Sequence, residues 1–138
     1  MSFREKSAWI TLVTVLVCFG VYFGSILTGR VSPRGWGTIH LLLASLLARV
    51  LLQVVLHFLA AIQSPKDARA PVDEREKLIQ WRAHTIGYYV LVVSVLGLFI
   101  PGHLGHDVVD LMNFALFDVA LATAVVAAAQ IIMFRRGG

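Results

Sequence analysis

The sequence predicts an all-α integral membrane protein, a four-helix bundle whose chain crosses the bilayer four times. Three observations predict it. Hydrophobic residues make up 58% of the 138-residue chain and charged residues only 14%, against about 25% charged in a typical soluble domain. Mean hydropathy is +0.79. The apolar residues gather into four runs, about 8–28, 38–62, 83–101 and 108–134, and a bilayer core of about 30 Å takes roughly 20 helical residues. All of this fits one transmembrane domain over 1–138, with lipid as the solvent for its outer faces.

The first run follows Arg4 and Lys6, an arrangement like the start of a secretory signal. The run is longer than the 7–15 apolar residues usual in a signal, and no small-residue cleavage site follows it, so it is expected to remain as a span. Cys18 is the single cysteine and lies inside this run after Val17, which suits neither a lipoprotein cleavage site nor a disulfide framework. Gly20 and Gly24 are spaced for close helix approach, within the chain or between copies in a homo-oligomer.

Between the second and third runs lies a loop of about 63–82, the longest polar stretch in the chain. Pro65 and Pro71 bracket a linker there, and Pro33 and Pro101 also fall between or at the ends of runs, where a missing N–H costs least. Asp73-Glu74-Arg75-Glu76 has the spacing of a capping box, with Asp in the usual Ser/Thr place. A helix starting near Glu74 is therefore expected to continue into the third span. The alternative is that this charged turn docks a cytoplasmic protein partner. On the fourth run, Ala120, Ala124 and Ala128 form a further close-packing face.

Orientation follows from the basic residues. Four spans put both termini and the 63–82 loop on one side, with Arg4, Lys6, Lys66, Arg69, Arg75, Lys77, Arg82, Arg135 and Arg136. The other side has only Arg30 and Arg34. The imbalance places both termini in the cytoplasm. Trp9 and Trp81 then lie at the inner interface and Trp36 at the outer one. The net charge of +4 and pI near 9.7 reflect this topology, so no nucleic-acid partner is expected.

Three segments, Phe3-Arg4-Glu5-Lys6-Ser7-Ala8-Trp9, Asp73-Glu74-Arg75-Glu76 and Phe134-Arg135-Arg136-Gly137, resemble those of a class of small bacterial four-helix membrane proteins. That class carries a domain-of-unknown-function label. The resemblance covers nearly the whole chain and implies the bacterial inner membrane. It also implies a stress or signalling role, because members are often encoded beside small helix-turn-helix regulators. It brings no catalytic residues.

Ionisable groups inside hydrocarbon cost about 2.5–3.5 kcal/mol each on insertion scales, so each needs a reason. Arg49 and Asp118 lie roughly 16 and 15 Å below the outer ends of their runs at 1.5 Å per residue. Both are therefore near the midplane, and opposite charges at one depth are expected to pair. Ser45, Arg49, Gln53 and His57 recur every four residues as an inward polar stripe. The group Arg49, Asp118, Gln53, His57 and Ser45 is the candidate intramembrane site. It reads equally as a clamp fixing helix register, as an ion or proton relay, or as an anchor for an anionic ligand.

The five histidines raise two further readings, although no cofactor is required. His103, His106 and Asp107 sit close in sequence near the outer side and could hold a divalent metal. His40 with His103, and His57 with His84, could ligate two b-type haems if their helices are neighbours. No serine has a histidine and an acid placed as a triad, and no phosphate-cradling glycine loop or H-E-x-x-H occurs. The expected function is therefore not enzymatic. It is transport, permeation or ion coupling through the polar interior, the alternative being a sensor or protective regulator acting through the 63–82 loop. Compact four-helix drug exporters carry a glutamate within their first span; this first span has no acid.

Overall fold

The computed structural model describes residues 2–30 and 35–137. Their regular structure is entirely helical: α1 Phe3–Leu27, α2 Trp36–Gln63, α3 Pro65–Arg69, α4 Glu74–Gly97, α5 Phe99–His103 and α6 Val108–Arg136. Helices α1, α2, α6 and the joined α4–α5 are each long and apolar enough to cross a membrane.

Helices α1 and α4 begin well before their apolar runs. Helix α1 starts at Phe3, because the Ser2 side chain accepts from Glu5 N and caps a polar first turn. Helix α4 starts nine residues before its apolar run, as the Asp73 motif predicts. Asp73 Oδ1 accepts from Glu76 N at 2.7 Å, and Glu76 Oε2 accepts from Asp73 N at 3.3 Å. Hydropathy marks the stretch matched to lipid, whereas caps mark the helix. The linker after α2 is also more regular than its composition suggests: Pro65 occupies the first turn of α3, where its absent N–H is not needed. Asp107 caps α6 by accepting from Asp110 N at 3.0 Å, and Gly137, at φ 87°, closes its other end.

The long helices pack in the order α2–α1–α6–α4. Helices α1 and α6 form the centre. Val15, Phe19 and Ala120 make the buried cluster, with Phe23, Leu116 and Ala124 packed around it. Toward the C-terminal end of α1, Tyr22 donates to Asn113 Oδ1 at 2.8 Å, and Phe23 meets Phe117 edge-on. Helix α4 reaches α6 through Ile79, Ala83 and Gly87, all buried. A Cβ at Gly87 would collide with Val126 Cγ2 and approach Ala122 O to 3.4 Å, so glycine sets the α4–α6 spacing.

Gly20 and Gly24 have no such role in the chain. A Cβ at either would meet nothing within 4 Å, so the expectation that they bring helices together is not met within one copy. Outward faces carry large apolar side chains, among them Leu16 and Val21 on α1, Val54 and Phe58 on α2, and Val93 and Leu96 on α4. So much exposed apolar surface is foreign to a soluble monomer and natural in lipid.

Candidate functional site

The polar stripe of α2 meets a second stripe on α1. Ser7, Thr11 and Thr14 recur every three or four residues on α1 and face α2 in antiparallel register. Ser7 Oγ and His57 Nε2 are 2.7 Å apart; one turn on, Gln53 Nε2 donates to Thr11 Oγ1 at 3.4 Å. His57 Nδ1 lies 2.7 Å from Gln53 O. A carbonyl oxygen only accepts, so Nδ1 carries the hydrogen and Ser7 Oγ–H donates to Nε2. Thr14 is fully buried and donates to Thr11 O at 3.1 Å. Ser45 continues the stripe, half-buried, toward the N-terminal end of α2. The spacing of Ser7, Thr11 and Thr14 was the available signal for α1's share of this seam, and an apolar run conceals it.

Another turn along the same register brings Arg49 level with Val15. Asp118 lies beyond Asn113 on α6, within about one turn of that level. The matched depth is therefore retained, but the expected ion pair is not formed. Helix α1 stands between α2 and α6. Asp118, 8% exposed, also lies one turn before Ala122 and two before Val126, on the face of α6 that packs against Gly87. Leu116, Ala120 and Ala124 hold the face toward α1. Arg49 Nε and Asp118 Oδ2 are buried with no hydrogen-bond partner among the described residues. Two charges thus lie at one depth on different seams, each uncompensated.

At the end of the bundle that holds both termini, Arg4, Glu5 and Lys6 contact other parts of the chain. Arg135 Nε donates to Glu5 Oε1 at 3.2 Å, and its guanidinium lies over the Trp9 ring. Lys6 Nζ donates to Ser64 Oγ at 2.9 Å. Arg4 lies 3.9 Å from Glu76 and reaches Ala70 O at 3.5 Å. The first of the three segments that carry the sequence resemblance thus contacts both of the others. Sequence reasoning took them as separate helix ends, because no local pattern links positions 5 and 135.

The histidines do not gather. Among the described residues no group of three His, Cys, Asp or Glu could hold a metal ion. His106 Nδ1 is 3.4 Å from Asp110 Oδ2, His103 Nδ1 is 2.7 Å from Phe99 O, and Asp107 serves as a cap. The haem arrangement fits no better. His40 and His57 are on α2, His84 and His103 on α4–α5, and α1 and α6 lie between those helices. Both nitrogens of His57 are already engaged.

Four helices long and apolar enough to cross a membrane define the pattern of a multi-pass membrane protein. Comparison with protein-family models, with curated proteins and with solved structures finds no match to this chain.

Proposed function

We propose that this is a small multi-pass protein of the bacterial inner membrane, with both termini in the cytoplasm, that couples to ion or proton movement through Arg49 and Asp118. The observation that carries the reading is the pair of buried, uncompensated atoms, Arg49 Nε and Asp118 Oδ2, at one depth on either side of α1. A clamp would join its charges. Charges kept apart near the membrane midplane, at a cost of about 2.5–3.5 kcal/mol each, need another reason, and ligand or ion exchange supplies one.

The roles follow from chemistry. Arg49 offers a fixed positive charge to an anion, and Asp118 a carboxylate to a proton or cation. Gln53, Thr11, His57 and Ser7 extend a line of exchangeable donors and acceptors from Arg49 toward the inner rim. The test is ion flux in proteoliposomes carrying the full chain, Arg49→Ala or Asp118→Asn, with helix content and elution volume as fold controls. Loss of flux in both folded variants supports the reading; undiminished flux in both, or no flux in the parent protein, removes it.

A second reading, a regulator that docks a cytoplasmic partner, is favoured by α3. Lys66, Asp67 and Arg69 are exposed there, on a segment held at its ends by Lys6–Ser64 and Arg4–Ala70. Exchange of residues 65–70 for a glycine–serine linker would abolish a partner-dependent phenotype and leave flux intact.

A further inference from the structure

Two surface hollows follow one another along the outward face of α4 and share Trp81. The one nearer the cytoplasmic end is lined by Glu74, Arg75, Lys77, Leu78, Gln80 and Trp81. The next is lined by Trp81, His84, Thr85, Tyr88 and Tyr89. Helix α4 uses its opposite face, Ile79, Ala83 and Gly87, against α6. Trp81 is 79% exposed, at the level where the apolar run begins.

Some basic side chains at this end are committed to partners, and others, Lys66 and Arg69 on α3 among them, are exposed without one. Arg4, Lys6 and Arg135 are committed to Glu76, Ser64 and Glu5. The side chains of Arg75, Lys77 and Arg82 have no ion-pair or hydrogen-bond partner among the described residues, and all three are exposed. Within the hollow the two bases Arg75 and Lys77 outweigh one carboxylate, Glu74. Deeper along the face, the Tyr88 and Tyr89 rings meet edge-on with centroids 5.7 Å apart, and beyond them the helix is apolar.

We infer that this groove binds an anionic phospholipid. Its phosphate sits between Arg75 and Lys77, and an acyl chain lies over Trp81, Tyr88 and Tyr89. The sequence of surfaces matches the molecule: a cationic mouth, an amphipathic indole at the headgroup boundary, then an aromatic and aliphatic slope. Basic pockets beside the cytoplasmic ends of membrane helices recognise anionic headgroups in this way, and each base near the surface contributes enough to change affinity roughly fivefold. Topology alone requires positive charge somewhere on this side; it does not require unpaired bases around an exposed tryptophan on the free face of one helix.

The experiment measures lipid retained by the full-length detergent-purified protein, by native mass spectrometry, with thermal unfolding during titration by phosphatidylglycerol or phosphatidylcholine. Phosphatidylglycerol is expected to be retained and to raise Tm, with phosphatidylcholine much less effective. Arg75→Gln with Lys77→Gln should cut retention roughly tenfold or more, and Trp81→Ala should weaken it without altering net charge. The control, Lys66→Gln with Arg69→Gln, removes the same charge from α3 and should leave retention unchanged. Equal loss in that control would reduce the effect to bulk charge and overturn the inference, as would equal retention of phosphatidylcholine.

Discussion

Glu5 and Arg135 meet at 3.2 Å across 130 positions of sequence, and the two partners are unequally sheltered: the Glu5 side chain is 11% exposed and that of Arg135 59%. The asymmetry makes a prediction. Glu5→Gln leaves a guanidinium that water can solvate and that still covers Trp9, so it should cost no more than about 1 kcal/mol. Arg135→Ala strands a sheltered carboxylate and uncovers the indole, which should cost about 1–3 kcal/mol. Unfolding of the two variants in detergent checks the order. Equal losses would mean that Glu5 is solvated in the folded state.

Gly87 sets the distance between α4 and α6, because a side chain there would strike Val126 Cγ2. Valine is stiff in a helix, since one χ1 rotamer is strongly preferred. Gly87→Ala should therefore destabilise by about 1–3 kcal/mol despite the better helix propensity of alanine. Adding Val126→Ala should return much of the loss. Gly20→Ala and Gly24→Ala, with open space around both positions, should leave monomer stability within about 0.5 kcal/mol. A measured cost at Gly20 comparable to that at Gly87 would contradict the packing described.

These contrasts show what the sequence made legible. The four long apolar helices were readable because nothing in the chain competes with that pattern. The start of α4 was readable because Asp73 and Glu76 act on each other locally. The order of the helices was not, since Gly20, Gly24 and Gly87 look alike as letters and differ only in what faces them. The depth of Arg49 and Asp118 came from counting residues along two helices. Their separation depends on α1 lying between, which is a property of packing alone. Ser7, Thr11 and Thr14 were overlooked because hydroxyls within an apolar run barely lower its hydropathy.

Ser7 and His57 form the strongest polar link between α1 and α2. Interhelical hydrogen bonds in membranes average about 0.6 kcal/mol in double-mutant cycles, and a coupling of that order is expected for Ser7→Ala with His57→Phe. The geometry also sets the tautomer: the Gln53 carbonyl holds the hydrogen on Nδ1 of the neutral ring. Imidazole 15N shifts should report Nδ1–H in the parent protein, with Nε2 losing its hydrogen-bond shift in Ser7→Ala. An Nε2–H ring would reverse the donor and acceptor roles at Ser7.

Exchanging the two membrane charges separates the register clamp from the paired-function reading. If Arg49 and Asp118 touched, Arg49→Asp with Asp118→Arg would restore what each single change removes, and their coupling would reach the 0.5–3 kcal/mol found for residues in contact. With α1 between them and Asp118 turned toward α4, the exchange should restore neither stability nor flux. The loss in the double variant should equal the two single losses added, within about 0.5 kcal/mol. Asp118→Arg should be the worse single change, because Asp118 is buried at 8% exposure and a guanidinium is larger than the carboxylate it replaces, whereas Arg49→Asp puts a smaller side chain at a half-buried position of α2. Rescue by the exchange would require α2 and α6 to meet, and would therefore refute the helix order itself.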